Sequence, residues 1–259
     1  MRRVKTNQFT HSIEISEEAG VRYLHFGSPW VQGAMRLRHP DALELEYTRE
    51  MLTCLLWRDW ALWPREILLI GLGAGSLAKF LYRHLPRARL RAVEIDSRIP
   101  AHAERHFGLP VDPSRLTIDI ADGSIFVQQS REQFDLILVD GFDHRARAGA
   151  LDTPTFYRDC LARLKPGGVM ATNLFGNVRG FDKSLRRVEA AFDGRVLALP
   201  PGEMGNVIVF GLASGGTEVT LADLRERARL LGDETGLNLR PTLKRMVEFG
   251  MLPSVTIRI

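Results

Sequence analysis

Short apolar segments alternate with amphipathic segments through the middle of the chain. Continuous apolar runs of this kind are typical of strands in a parallel sheet that helices cover on both faces. Lys165-Pro166-Gly167-Gly168 is expected to break the chain immediately before the last of these strands. The pattern predicts a repeated strand, turn and helix unit, with strands at 67–70, 90–95, 116–120, 134–139 and 169–173.

Two further apolar segments, 196–199 and 206–213, follow the last helix of this repeat. Pro200-Pro201-Gly202 joins them, and this link is too short for the crossover that parallel strands require. We therefore expect an antiparallel pair at one edge of the sheet. The complete pattern predicts an α/β protein with a mostly parallel seven-stranded sheet, the Rossmann-like arrangement of class I methyltransferases.

The N-terminal part of the chain has a different pattern. Residues 21–26 and 31–37 predict a β-hairpin around the turn Gly27-Ser28-Pro29. Residues 41–57 then show the apolar spacing of an amphipathic helix, whose apolar face we expect to pack into the core.

Beyond residue 215, helical spacing recurs from Leu221 and again at 243–249. We expect three regions: an N-terminal hairpin and helix at 1–60, a Rossmann-like nucleotide-binding catalytic domain at 61–215, and a C-terminal helical extension at 216–259.

The amino-acid composition mainly excludes certain classes of protein. The 259 residues are 45% hydrophobic and 25% charged, as in ordinary globular proteins. No apolar run reaches the roughly 20 residues of a membrane-spanning helix, and residues 1–10 lack the apolar core of a secretory signal, so we expect a cytoplasmic protein without a membrane partner. The net charge is +4, but the arginines are scattered among acidic residues, so nucleic acid is not an expected partner.

A glycine-rich turn follows the first strand of the repeat and precedes a helix. Gly71, Gly73 and Gly75 occupy alternate positions in it. Glycine lets the backbone turn sharply and approach a ligand closely, beneath a helix N-terminus that favours electron-rich groups. In this context the turn predicts a site for an adenosine-containing cofactor of the S-adenosylmethionine type.

Acidic residues end the next two strands. Glu94 lies about 20 residues beyond the glycines, where a carboxylate accepts hydrogen bonds from ribose hydroxyls. Asp122 and Gly123 follow the third strand, in the position for contact with the exocyclic amine of adenine. Asp122 is equally suited to cap the helix that follows, and the two roles are compatible.

The fourth strand ends in Val139-Asp140-Gly141-Phe142-Asp143. Its two carboxylates lie at the carboxyl edge of the sheet, where α/β proteins bind ligands. One could accept a proton from an incoming amine while the other holds a cationic substrate. A solvated acidic loop is the alternative interpretation. No cluster of ligands is present for a metal, and none is needed in this scheme.

These segments together resemble the spermidine synthase family, the polyamine aminopropyltransferases, over residues 21–213. The similar segments are the N-terminal hairpin with its helix and Tyr47, the Gly71 turn, Val93-Glu94-Ile95-Asp96, Ala121-Asp122-Gly123, Asp140 with Asp143, Phe156-Tyr157, and Leu164-Lys165-Pro166-Gly167-Gly168.

The resemblance implies an aminopropyl transfer from decarboxylated S-adenosylmethionine to an amine such as putrescine. It implies that Asp140 receives the amine proton, that Asp143 holds the polyamine and that Tyr47 lines the same pocket. It also implies assembly as dimers or tetramers, which leaves a homodimer open for this chain.

The chain departs from the family pattern in three places. Ala74 replaces an aspartate that binds the aminopropyl ammonium in the family, and Thr48 replaces a glutamine or histidine. His144-Arg145-Ala146-Arg147 replaces a P-x-G-P segment, and its arginines would repel a dicationic amine if they faced the pocket.

These departures leave two alternatives to aminopropyl transfer. The turn around Ala74 matches ordinary methyltransferases better, and an alanine there does not repel the methionine carboxylate of intact S-adenosylmethionine. A methyltransferase is therefore the second hypothesis. A non-catalytic nucleotide-binding homologue that has lost its polyamine contacts is the third.

Overall fold

A seven-stranded sheet forms the centre of the protein. The computed structural model describes residues 11–28, 30–141, 148–176, 180–202, 204–213, 218–251 and 257–258. The strands of this sheet are β4 Glu66–Ile70, β5 Arg89–Glu94, β6 Leu116–Ile120, β7 Phe134–Val139, β8 Leu164–Phe175, β9 Val196–Ala198 and β10 Asn206–Leu212. Their spatial order is β6-β5-β4-β7-β8-β10-β9.

The first five of these strands along the chain are parallel, and β10 pairs antiparallel with both β8 and β9. The predicted sheet, including its antiparallel edge, is therefore confirmed. Successive residues of β4 point to opposite faces: Ile67 and Leu69 join one apolar cluster, and Leu68 and Ile70 join another. Burial on both faces explains why these strands are apolar throughout.

The helices that cover the two faces alternate with the strands along the chain. The paired strands run in the same direction, so their carboxyl ends lie at one edge of the sheet. The turns after Ile70, Glu94, Ile120 and Val139 are therefore neighbours. The covering helices are α2 Ser76–His84, α3 Ile99–Phe107, α4 Gly123–Gln129, α5 Pro154–Arg163 and α6 Phe181–Ala191.

The expected break before the fifth strand was wrong in position. Strand β8 begins at Leu164, so Lys165-Pro166-Gly167-Gly168 lies inside it. Phe134 pairs with Leu164 and Leu136 with Val169, so the extra residues form an irregularity in the strand. Gly167 has a φ of 71°, which permits this distortion without ending the pairing.

A separate three-stranded antiparallel sheet precedes the central sheet. The predicted hairpin corresponds to β2 (Val21–Phe26) and β3 (Val31–Arg36), and a further strand, β1 (Ile13–Glu18), pairs with β2. The hairpin prediction is confirmed, and β1 was not predicted because most of its residues are polar and exposed.

The helix predicted at 41–57 is shorter than expected. Helix α1 covers Glu46–Met51, and a 3-10 helix follows at Thr53–Trp57. Arg49 Nη1 donates to the carbonyl oxygens of Leu43 (2.9 Å) and Glu44 (2.7 Å), so a side chain binds carbonyl groups that a longer helix would use itself. The apolar face packs into the core as expected, with Trp57 against Phe210.

The C-terminal region contains two helices, as predicted, and a short strand pair. Helix α7 covers Leu221–Thr235, α8 covers Arg240–Glu248, and β11 (Glu218–Val219) pairs with β12 (Ile257–Arg258). Leu231 and Met246 belong to the same apolar cluster as the central sheet. In the part of the chain described, no helix is long and apolar enough to cross a bilayer.

Candidate active site

A cavity of about 270 Å³ opens at the carboxyl edge of the central sheet. It is lined by most of the residues that the sequence predicted for the site: Tyr47, Gly71, Gly73, Glu94, Asp122, Gly123 and Asp140. Gly75 is not part of the lining, and it forms the N-cap of α2 with a φ of 73°. Asp143 and the segment with Arg145 and Arg147 lie outside the described residues.

The glycine turn brings two strand ends together. Gly71 has a φ of 91°, and a Cβ atom there would lie 2.3 Å from the carbonyl oxygen of Asp140. Only glycine fits this close approach. The backbone N–H of Asp140 donates to the carbonyl oxygen of Ile70 at 2.9 Å. The turn and Asp140 are therefore direct neighbours in the cavity wall.

Glu94 presents a fixed carboxylate to the cavity. Its side chain is only 7% exposed. Oε2 accepts from the backbone N–H of Leu72 and Oε1 from that of Asp96, both at 2.9 Å. Burial raises the pKa of Glu94, and the two backbone N–H donors oppose that rise. Each oxygen keeps a second lone pair for a hydroxyl donor.

Asp122 caps helix α4. Its Oδ1 accepts from the backbone N–H of Ser124 at 2.8 Å and of Ile125 at 3.4 Å, and from the Ser124 hydroxyl at 2.6 Å. The predicted capping role is therefore confirmed. A Cβ at Gly123 would lie 2.4 Å from Cγ2 of Ile70, which explains the glycine there. Contact of Asp122 with adenine stays a prediction.

Asp140 is held by two donors from distant parts of the chain. The hydroxyl of Tyr47, on α1, donates to Oδ2 at 3.1 Å, and Nδ2 of Asn173, on β8, donates to Oδ1 at 3.0 Å. Asn206 Nδ2 in turn donates to Oδ1 of Asn173 at 2.9 Å. The carboxylate is thus fixed in direction by a short network of hydrogen bonds.

The surroundings of Asp140 raise its pKa, which makes the carboxylate a stronger base. Asp140 keeps some exposure to the cavity but lies deep within protein, and this burial raises its pKa against the opposing effect of the Asn173 and Tyr47 hydrogen bonds. Burial and the Asp140 charge raise the pKa of Tyr47 well above its usual value. Tyr47 therefore stays a proton donor, and Asp140 can accept a proton from a bound cation.

Asn173 and Asn206 were not predicted from the sequence as part of the site. Both are buried and lie on neighbouring antiparallel strands, β8 and β10. The available signal was a buried-type segment, 169–175, that is interrupted by a polar side chain at Asn173. Sequence reasoning also missed His11, Phe26 and Gln32, which line the cavity from the N-terminal sheet and its approach.

Two of the residues that depart from the family pattern, Ala74 and Thr48, line the cavity. Ala74 is 3% exposed and belongs to an apolar cluster with Leu24, Met35 and Phe107. Thr48 is buried, and its hydroxyl donates to the carbonyl oxygen of Leu45 at 2.6 Å. The Ala74 methyl therefore packs against apolar neighbours, and the Thr48 hydroxyl has a backbone partner. Among the residues described, no group of three or more His, Cys, Asp or Glu side chains is arranged to hold a metal ion.

Comparison with solved structures places this arrangement among known folds. A probable spermidine synthase from Corynebacterium glutamicum has a TM-score of 0.72 at 20% identity, over 90% of this chain and 91% of that one. Human methyltransferase-like protein 13 in complex with SAH has a TM-score of 0.64 at 25% identity, over 77% of this chain and 93% of that one. The class I methyltransferase fold is confirmed.

Comparison of sequences identifies the family within this fold. The chain is 38% identical to the polyamine aminopropyltransferase of Neisseria meningitidis serogroup A over 231 residues, which are 89% of this chain and 87% of that protein. It is also 38% identical to the enzyme of the same name from Chromobacterium violaceum, over 90% of this chain and 88% of that protein. The profile of the spermine/spermidine synthase domain matches residues 48–192. The chain belongs to the spermine/spermidine synthase family of transferases.

Proposed function

We propose that this protein is an aminopropyltransferase that uses decarboxylated S-adenosylmethionine and an amine such as putrescine. The observation that carries the proposal is the position of Asp140: it is held by Tyr47 and Asn173 and lies beside the Gly71 turn. A base is thereby next to the site for the cofactor. The names of the relatives support the same reaction class.

The cavity fits an adenosyl group. Glu94 offers two oriented oxygens to the ribose hydroxyls, and Asp122 keeps Oδ2 for the adenine amine, since its bonds within the protein end on Oδ1. Ile95 lines the cavity and is 51% exposed, so it offers an apolar surface to a base. Bound S-adenosylhomocysteine in the human structural relative supports this type of ligand.

The transfer needs a neutral amine. A decarboxylated S-adenosylmethionine supplies a carbon attached to a positively charged sulfur, which leaves as a neutral thioether. Asp140 takes a proton from the acceptor ammonium, and the freed nitrogen lone pair forms the new C–N bond as the C–S bond breaks. Tyr47 and Asn173 keep the Asp140 carboxylate directed at the amine, so the protein acts chiefly by positioning. We assign the holding of the polyamine to Asp143.

Methyl transfer from intact S-adenosylmethionine is the second candidate. The observation that favours it is Ala74, which places no carboxylate at the position where the family binds the aminopropyl ammonium. A cofactor carboxylate meets no repulsion from this side chain. The two candidates predict opposite preferences for the cofactor.

Calorimetric titration with decarboxylated and intact S-adenosylmethionine, side by side, separates the candidates. We expect tighter binding of the decarboxylated form and formation of spermidine when putrescine is added. The variant Glu94→Gln should weaken both cofactors about tenfold or more, since one hydrogen bond to a charged group contributes about 1.5 to 3 kcal/mol. Tighter binding of the intact form, without spermidine formation, would favour methyl transfer.

A further inference from the structure

We infer that Arg245, on the C-terminal helix α8, is a positioning residue for the acceptor site: its ion pairs with Glu46 and Glu50 hold α1 so that Tyr47 meets Asp140. The inference rests on the proposed function, because it treats the Tyr47 and Asp140 pair as the place where the amine reacts. It gives the C-terminal extension a part in the reaction.

Arg245 contacts two acidic side chains of α1. Nη1 donates to Oε1 of Glu46 at 2.9 Å, and Nη2 pairs with Oε1 of Glu50. Glu50 is only 1% exposed, so its carboxylate has been taken out of water. A buried carboxylate needs hydrogen bonds or a nearby cation, and removal of a cation that is paired with it is costly. Arg245 is therefore a strong constraint on this face of α1.

The opposite side of the acidic pair is closed by a glycine. Gly202 lies in the link between β9 and β10, and a Cβ there would approach Oε2 of Glu46 to 3.0 Å and Oε2 of Glu50 to 3.4 Å. The two carboxylates are thus enclosed between Gly202 and Arg245. The acidic face of α1 is therefore in contact with two other elements of the chain, the β9–β10 link and α8.

Helical geometry transmits the constraint to Tyr47. Glu46 and Glu50 are four residues apart and share one face of the helix, while Tyr47 is one residue further along and points about 100° away. With the acidic face held, the direction of the tyrosine is set. Helix α1 has only 6 residues, too few to be stable in isolation, so its orientation depends on such tertiary contacts.

A matched variant separates this role from general support by the C-terminal helices. Arg227, on α7, donates through Nη1 to the carbonyl oxygen of Leu56 at 3.1 Å, beyond the end of α1. Arg227→Met therefore removes a contact between the C-terminal region and the same part of the chain without touching Glu46 or Glu50. Arg245→Met removes the contact to α1.

The experiment compares these variants in full-length protein with decarboxylated S-adenosylmethionine and putrescine. We expect Arg245→Met to lower kcat/KM for putrescine by about tenfold to a hundredfold, because small misplacements of catalytic groups have effects of that size. Cofactor affinity, measured by calorimetry, should change less than about twofold. Arg245→Lys should restore part of the loss, since it keeps the charge but not the two-pronged geometry.

Two further readouts distinguish positioning from loss of stability. Tyr47→Phe and Arg245→Met should be non-additive in kcat/KM when combined, because both act on one hydrogen bond. Both should also move the acidic limb of the kcat/KM profile to higher pH, since Asp140 loses a donor that favours its ionised form. Arg227→Met should leave that limb in place. Additive effects, or equal behaviour of the Arg245 and Arg227 variants, would overturn the inference.

A replacement variant and a hydrogen-exchange measurement cover the case in which Arg245→Met is unstable or inactive. If Arg245→Met does not fold, the double variant Arg245→Met with Glu50→Gln removes the uncompensated buried charge and takes its place. Hydrogen exchange of the peptide covering 46–51 needs no turnover: it should be faster in the Arg245 variant and unchanged in Arg227→Met. Wild-type protein without spermidine formation refutes the proposed function, whereas unchanged exchange refutes the role of Arg245.

Discussion

The side chain of Ala74 packs directly against Gly33, since a Cβ at position 33 would lie only 2.5 Å from the Cβ of Ala74. Strand β3 of the N-terminal sheet therefore lies on the glycine turn of the central domain. The position at which the resemblance implies an aspartate is, in this chain, part of the contact between the N-terminal sheet and the glycine turn. This packing leaves little room for a larger side chain at position 74.

We expect Ala74→Asp to destabilise the protein rather than to improve the cofactor site. Ala74 lines the cavity but is only 3% exposed and packs with Leu24, Met35 and Phe107, so a larger, charged side chain would crowd these neighbours and lose hydration, at a cost of about 3 kcal/mol. Urea unfolding measures the loss. Ala74→Asn is the matched control, because it has the same size without the charge and should lose less. A stable Ala74→Asp protein with tighter binding of decarboxylated S-adenosylmethionine would contradict this prediction.

Asp140→Asn should lower kcat for aminopropyl transfer by about 10²- to 10⁴-fold, the usual contribution of a general base. Cofactor affinity should be retained, because Glu94 and Asp122 are untouched. Rapid-quench assays at saturating putrescine measure the effect. Asp135→Asn is the control: Asp135 lies on the same strand, where it accepts from the backbone N–H groups of Arg65 and Glu66. Full activity of Asp140→Asn would remove its role as base.

Tyr47→Phe should shift the pH dependence of the reaction. Asp140 must be ionised to accept a proton, so activity falls as the pH drops through its pKa. The Tyr47 hydroxyl lowers that pKa, against burial, which raises it. Its removal should therefore move the acidic limb of the kcat/KM profile toward higher pH, which a series of initial rates checks. A limb at unchanged pH would show that the hydroxyl does not act on Asp140 during turnover.

The pH dependence of stability should report on Lys79, which is 3% exposed beneath the N-terminal sheet. Its Nζ donates to the carbonyl oxygens of Pro40 (2.7 Å) and Phe107 (2.5 Å). Burial lowers the pKa of Lys79 from 10.5 to about 8. Between these values the unfolded chain binds more protons than the folded one, so the folded state gains stability as the pH rises.

We therefore expect the difference in unfolding free energy between wild type and Lys79→Met to change in favour of wild type from about pH 8 to about pH 10.5. Urea unfolding at intervals of pH measures it. Lys244→Met removes an exposed lysine paired with Glu248 and is the control for the loss of a lysine that is not buried. A flat difference for Lys79→Met would contradict the prediction.

Much of the central fold was determined by local patterns. Ile67 to Ile70 alternate between the two faces of a sheet that is covered on both sides, and apolar side chains are therefore required at every position. That requirement is visible in the sequence. The site residues at strand ends could be predicted for a related reason: parallel strands with helical crossovers bring Gly71, Glu94 and Asp140 to one edge, wherever the strands lie in the chain.

Features set by long-range contacts could not be predicted in this way. The hydrogen bond from Tyr47 to Asp140 joins residues 93 positions apart, and the ion pair from Arg245 to Glu46 joins residues 199 apart. Arg49 binds the carbonyl groups that precede α1, where a longer helix was expected. The spacing of apolar residues gives no sign of this contact.

The sequence by itself thus determined the sheet, the glycine turn and the acidic strand ends, because periodic burial and chain reversal leave local traces. Only the tertiary structure decided which of these parts contact one another. Asn173 donates a hydrogen bond to Asp140, Ala74 packs against Gly33, and an ion pair joins α8 to α1. These contacts depend on the packing of whole elements against one another, and no local spacing encodes that packing.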